Sequence, residues 1–85
     1  MKLMVFFQGE TPEMRYAKEK AQDLETEGYS VEFFNWDDEL TPAKAELYSI
    51  YQTPTYILTQ DDGKLIQLWQ GNLPPISEVK NLMGQ

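Results

Sequence analysis

The sequence of this 85-residue chain predicts an α/β fold of the order βαβαββα, in which a four-stranded mixed sheet carries three helices on its two faces. Three observations predict this fold. Residues 3–7 form a continuous apolar run, typical of a strand that is buried on both faces. Two Thr-Pro pairs, Thr11-Pro12 and Thr41-Pro42, each precede apolar residues at helical spacing. Residues 61–63 have the turn sequence Asp-Asp-Gly between two apolar runs, which indicates a hairpin.

The first half of the chain is predicted to form a βαβ unit. After the first strand, Thr11 is a good N-cap, Pro12 suits the first helical position, and Glu13 suits the positive end of the helix dipole. The buried stripe of this helix is predicted to comprise Met14, Ala17, Ala21 and Leu24. Gly28 suits the position just past the helix end, and residues 31–36 form the second strand.

The second half is predicted to add a helix, a hairpin and a closing helix. Residues 37–39 form an acidic loop, and Thr41 is predicted to cap a second helix that runs to about residue 50. The apolar positions of that helix are Ala43, Leu47 and Ile50. Residues 56–59 and 65–69 form the last two strands, and Pro74-Pro75 opens a last helix. Its apolar positions are Ile76, Val79, Leu82 and Met83. A right-handed βαβ crossover then places the first and third strands at the centre of the sheet.

Composition excludes several kinds of chemistry. The chain has no cysteine and no histidine, so disulfides, thiolate nucleophiles, cysteine- and histidine-bound zinc clusters and imidazole acid–base catalysis are excluded for its residues. The formal charge is −7, which repels a nucleic-acid backbone. No apolar segment approaches the roughly 20 residues that a membrane span needs. We therefore expect one cytoplasmic, monomeric domain over residues 1–85, with no metal, no cofactor, no nucleic-acid partner and no membrane contact.

Residues 53–55, Thr-Pro-Thr, carry a resemblance to a known superfamily. They lie between the second helix and a strand that turns back at Gly63, and Gly71 follows the fourth strand. This arrangement resembles the thioredoxin and glutaredoxin superfamily over essentially the whole chain. The resemblance implies a cis peptide bond before Pro54, which would turn the backbone of Thr53 outward to pair with an extended peptide or with glutathione. Tyr48 and Tyr51 lie near this loop in the sequence and are predicted to line its groove.

Residues 11–14, Thr-Pro-Glu-Met, fall where that superfamily has Cys-Pro-x-Cys. Thr11 would take the place of the nucleophilic cysteine and Met14 that of the resolving one. A helix N-terminus activates a cysteine by lowering its pKa, but a threonine hydroxyl needs an adjacent base. The resemblance therefore implies the fold without its thiol–disulfide chemistry. A plain structural alternative stays open, in which Thr11-Pro12 is only a helix start.

A more distant resemblance is to the circadian-clock KaiB family, which has a Gly-x-Thr-Pro loop and a later Ala-Thr-Pro-Thr segment. Residues 9–12, Gly-Glu-Thr-Pro, and residues 52–55, Gln-Thr-Pro-Thr, look like both. The hairpin that follows Pro54 is thioredoxin-like, whereas the KaiB family is proline-rich there.

The leading hypothesis is a redox-inactive thioredoxin-like domain that binds a protein or peptide at the cis-proline groove. The predicted groove comprises Thr11, Pro12, Glu13, Met14, Tyr51, Gln52, Thr53, Pro54, Thr55, Gly71 and Asn72. No catalytic residue is predicted. One alternative is a protein of redox homeostasis that acts through glutathione binding without thiols of its own, and another is a KaiB-like adaptor.

Overall fold

The computed structural model describes residues 1–84, and its elements follow the predicted order βαβαββα. They are β1 (Lys2–Phe7), α1 (Pro12–Thr26), β2 (Val31–Asn35), α2 (Thr41–Leu47), β3 (Thr55–Thr59), β4 (Leu65–Gln70) and α3 (Ile76–Met83). None of the helices in this part of the chain is long and apolar enough to cross a membrane.

The four strands form one mixed sheet in the order β2-β1-β3-β4. Strand β1 runs parallel to β2 and antiparallel to β3, and β3 pairs antiparallel with β4. The predicted central position of the first and third strands is confirmed. Their burial agrees with it, because all of β3 and residues 3–6 of β1 are buried.

The two faces of the sheet are covered unequally. On one face, Leu3, Val5 and Tyr56 pack against α1, with α3 beside it. The Tyr56 hydroxyl donates a hydrogen bond to the carbonyl of Ala17 in α1, and burial raises its pKa above the ordinary tyrosine value. The opposite face has a smaller cluster against the short helix α2. Its buried members are Met4, Phe6, Ala45, Ile50 and Ile57.

Helix α1 confirms its prediction closely. Thr11 is the N-cap, and its hydroxyl accepts a hydrogen bond from the Met14 N–H at 3.2 Å. The buried side chains are the predicted Met14, Ala17, Ala21 and Leu24. The helix ends in a Schellman motif, in which the N–H of Tyr29 donates to the Leu24 carbonyl at 3.1 Å. Gly28 takes the left-handed position of that motif, with φ of 99°.

Helix α2 departs from its prediction at both ends. Its N-cap is Leu40 rather than Thr41, because the Thr41 side chain turns inward and is buried. The helix ends at Leu47, short of the predicted end, because Ser49 adopts a left-handed φ of 57°. The N–H of Ile50 then donates to the Ala45 carbonyl at 3.0 Å, which is again a Schellman motif and buries Ile50. The predicted apolar positions Ala43 and Leu47 are exposed, whereas Ile50 is buried.

Candidate functional site

Strand register brings four loop segments to one edge of the sheet. Phe7 pairs with Asn35, Phe6 pairs with Thr55, and Thr55 pairs with Gln70, so β1, β2 and β4 end where β3 begins. The adjoining segments, residues 8–11, 36–40, 51–54 and 71–75, are called the loop edge below. The predicted groove residues all lie on this edge, on the first turn of α1, or at the first residue of β3.

The segment before β3 is held in place by Gln70, a residue outside the predicted groove. The Gln70 side-chain oxygen accepts hydrogen bonds from the backbone N–H groups of Tyr51 and Gln52. The Gln52 side-chain amide donates in return to the Gln70 carbonyl at 3.4 Å. The Thr55 hydroxyl closes the segment by donating to the Gln52 carbonyl at 2.7 Å. Gln70 is therefore a positioning residue, and the signal for it was an amide side chain at the end of a strand.

Gly71 connects the loop after β4 to the same segment. Its N–H donates to the Pro54 carbonyl at 3.0 Å, and its φ is 84°, in the left-handed region. A Cβ at this position would lie 3.0 Å from the Gln52 side-chain nitrogen, so a side chain would have to displace Gln52. Glycine suits this position for both reasons, the backbone conformation and the contact.

Thr53 lies between these fixed neighbours. The Thr53–Pro54 peptide bond is cis, Pro54 is buried, and Thr53 is half-buried. Within residues 1–84, no hydrogen bond is formed by the Thr53 backbone N–H or C=O. At the loop edge, the Thr53 N–H can therefore still donate a hydrogen bond and its C=O can still accept one.

The other predicted groove residues differ in how much surface they offer. Thr11, Pro12, Glu13 and Asn72 are exposed, and Tyr51 has 82% of its surface exposed. Met14 is only 8% exposed, because it belongs to the buried stripe of α1. Two further members, at positions 54 and 55, are buried and can shape the groove but offer almost no contact surface.

Tyr48 does not lie with these residues, which corrects the prediction that it lines the groove. Its hydroxyl donates to the Gly63 carbonyl at 2.9 Å, and Gly63 belongs to the hairpin turn between β3 and β4. That turn is at the opposite end of the sheet from the loop edge. Because α2 ends at Leu47, Tyr48 lies toward the end of the sheet that carries the β3–β4 turn. The chain returns to the loop edge only after Tyr48.

The loop edge is acidic. Its four segments carry Glu10, Asp37, Asp38 and Glu39 and contain no lysine or arginine. On α1, Glu13 adds a carboxylate, and Arg15 and Lys18 line a pocket together with Glu10. The Asp37 carboxylate accepts a hydrogen bond from the Gln8 side chain at 3.2 Å, which links two of the segments. Across residues 1–84, no three carboxylate side chains converge closely enough to hold a metal ion.

No protein-family model and no curated protein matches this sequence. Solved structures do. Thioredoxin 1 from Thermosipho africanus is 21% identical with a TM-score of 0.78, over 99% of this chain and 91% of that one. An uncharacterised thioredoxin-like protein from Clostridium perfringens is 14% identical with a TM-score of 0.81, over 98% and 68%. A thioredoxin-fold protein from Helicobacter pylori is 20% identical with a TM-score of 0.74, also over 98% and 68%.

At these identities the likeness establishes the fold. The chain has the predicted thioredoxin-like α/β fold, and it has no cysteine. The similarity to the KaiB family stays a prediction.

Proposed function

We propose that this chain is a redox-inactive thioredoxin-like domain that binds an extended segment of a partner protein at the loop edge. Its 85 residues include no cysteine, so none of them can form or reduce a disulfide. Binding would use backbone groups, as when a peptide adds a strand to an open sheet edge.

The observation that carries this proposal is the state of the Thr53 backbone. The residues on either side of Thr53 are tied to Gln70 and Gly71, whereas its own N–H and C=O have no partner within residues 1–84. A rigid frame around two free groups favours binding, because little conformational entropy is lost when a ligand pairs with them. Tyr51 and Pro12 would supply apolar contact, since both are exposed beside the frame.

Charge favours a peptide over glutathione at this site. Glutathione carries two carboxylates, whereas the loops of the edge carry the carboxylate of Glu10 and no lysine or arginine, and Glu13 adds another carboxylate on α1. Like charges at short range disfavour binding. The glutathione alternative is tested by titrating the chain with reduced glutathione, and we expect no shift of the Thr53 or Gly71 amide signals.

The test of peptide binding uses a phage-displayed library of random peptides as the probe. Peptides selected on the full chain are measured against Tyr51→Ala and against Leu65→Ala, which truncates an exposed apolar side chain at the opposite end of the sheet. We expect Tyr51→Ala to raise Kd about tenfold, as truncation of an aromatic anchor does, and Leu65→Ala to leave it unchanged. Peptides that bind both variants equally, or that shift amide signals only away from residues 51–54, would contradict the proposal.

A second experiment tests whether the first loop matches that of the active relatives. The double variant Thr11→Cys/Met14→Cys places two cysteines one helical turn apart at the start of α1, where the helix N-terminus activates the first. We expect it to form an intramolecular disulfide and to gain insulin-reducing activity that Thr11→Cys alone lacks. A double variant that forms no disulfide would show that this loop has a different geometry.

A further inference from the structure

The face of the sheet that carries α2 is incompletely covered. The other face has α1 and α3, with 15 and 8 residues, whereas α2 has 7. On the α2 side, Phe34 of the edge strand β2 is half-buried and stacks on Phe6, with ring centroids 4.9 Å apart. Trp36, just after β2, is half-buried on the same side. Apolar surface is therefore left open between β2 and the start of α2.

This open surface forms a groove of about 600 Å³, called the α2 groove below. It is lined by Phe34, Asp38, Glu39, Leu40, Thr41 and Lys44. The Phe34 ring gives it an apolar wall, with the Lys44 ammonium 6.0 Å from the ring centroid. Asp38, Glu39 and Leu40 lie on the loop edge, but none of the lining residues belongs to the predicted peptide groove.

Leu40 gives little to the fold. It occupies the N-cap of α2, where Ser, Thr, Asp or Asn would accept a hydrogen bond from the helix, and it makes no such bond. Its side chain is 82% exposed. The sequence thus places an apolar side chain where it stabilises neither helix nor core, beside an aromatic ring. Such a side chain is available to contact another molecule.

The charge around the groove limits what that molecule can be. Asp38 and Glu39 line it, Asp37 precedes them, and the one cation among its lining residues, Lys44, stands over the Phe34 ring. The chain as a whole carries a formal charge of −7, so a second copy would bring further negative charge to this rim. A basic segment would instead complement it, with arginine forming charge-assisted hydrogen bonds to the carboxylates.

We propose that the α2 groove docks a basic amphipathic segment of a partner protein, with an apolar side chain between Phe34 and Leu40 and arginine or lysine against Asp38 and Glu39. This surface is separate from the peptide groove at Thr53, and neither needs the other. The two sites can be distinguished because they would shift different amide signals.

The test is an amide-resolved NMR titration of the full chain with a short synthetic peptide of alternating leucine and arginine. We expect shifts at Phe34, Leu40 and Lys44, and weaker binding as salt increases. Leu40→Ala should raise Kd about tenfold. The matched control is Leu47→Ala, which removes a leucine that is 77% exposed on the same helix but does not line the groove, and it should leave Kd unchanged.

Charge is tested with variants of equal net charge. Asp38→Asn/Glu39→Gln should weaken binding several-fold, whereas Asp23→Asn/Glu25→Gln on α1 should have a much smaller effect, since screening limits attraction to charges far from the groove. A peptide of alternating serine and arginine should bind much more weakly than the leucine peptide, because it lacks the apolar side chain.

Three outcomes would overturn the proposal. Equal binding of the serine and leucine peptides would mean attraction by net charge alone. Shifts confined to Thr53 and Gly71 would place the peptide at the groove around Thr53, and would leave the proposed function standing. Concentration-dependent shifts at Leu40 without any peptide would assign the groove to a second copy of the chain.

Discussion

Helices α1 and α2 both begin at a Thr-Pro pair, yet they use it differently. Thr11 stays at the surface and caps α1 with its hydroxyl, whereas Thr41 lies inside α2 with its side chain buried. The helices also end differently. Each ends in a left-handed residue that closes a Schellman motif, but α1 uses Gly28 and α2 uses Ser49.

The difference reflects how much surface each helix buries. Helix α1 presents a continuous buried stripe, so its local signals and its packing agree. Helix α2 buries only Thr41 and Ala45 and leaves Leu40 and Leu47 in solvent. The α1 side of the sheet therefore has the larger buried cluster, whereas the α2 side leaves leucine side chains exposed.

The largest effect that separates the two helices should come from truncating one leucine in each. Leu24→Ala removes a fully buried side chain from α1 and should lower the free energy of unfolding by about 2–5 kcal/mol. Leu47→Ala removes an exposed side chain from α2 and should change it by less than about 0.5 kcal/mol. Urea unfolding measures both, and equal costs would contradict the comparison.

Two tyrosine hydroxyls sharpen the comparison further. Tyr56→Phe removes the buried hydrogen bond to α1 and should cost about 1–2 kcal/mol, whereas Tyr48→Phe, beyond the end of α2, removes an exposed one and should cost less.

Because burial raises the Tyr56 pKa, the folded state keeps the hydroxyl proton to a higher pH than the unfolded state does. The stabilisation is complete below the unfolded pKa of about 10 and is lost as pH rises above it. In Tyr56→Phe, this part of the pH dependence should disappear.

The helix ends predict opposite effects of substitution. Gly28→Ala puts a side chain where φ is 99° and should cost about 1–2 kcal/mol. Ser49→Gly relieves the same kind of strain at the end of α2, but it also raises the conformational entropy of the unfolded chain. Because the two effects oppose each other, the variant should be neutral or stabilise the fold by about a few tenths of a kcal/mol. Thermal unfolding of the two variants gives the signs, and a clear loss for Ser49→Gly would disprove this account of the α2 end.

The smallest difference between the two helices concerns their threonines. Thr11→Val removes the cap hydroxyl and should cost about 1 kcal/mol, and Thr11→Ser should restore most of the loss. Thr41→Val should cost less than about 0.5 kcal/mol, because its side chain does not cap α2 and valine keeps its volume. The comparison fails if both valine variants lose the same stability.

The same comparison explains which features the sequence could predict. The order of elements and the α1 stripe follow from hydrophobic periodicity and from local caps, and the structure confirms both. The end of α2 escaped prediction because serine rather than glycine takes the left-handed position. The burial of Thr41 depends on packing against the sheet, which no local signal reports.

The candidate site also contains residues that the sequence could predict and residues that it could not. Thr53, Pro54 and Gly71 could be named from their place in the chain, because the resemblance marks those loops. For Gln70 the sequence shows only an amide side chain at the end of a strand. Its hydrogen bonds to residues 51 and 52 depend on the register that sets it opposite Thr55, which the sequence does not show. The α2 groove could not be predicted either, because its lining residues come from β2 and from the start of α2 and meet only in the folded chain.

The most direct test of the central claim is amide hydrogen exchange at Thr53, measured on the full chain with and without a library-selected peptide at saturation. The Thr53 N–H has no partner in the free protein within residues 1–84, so its exchange should slow markedly when a peptide carbonyl accepts a hydrogen bond from it. Exchange at Thr53 that stays unchanged while the peptide is fully bound would contradict the claim that this backbone position binds the partner.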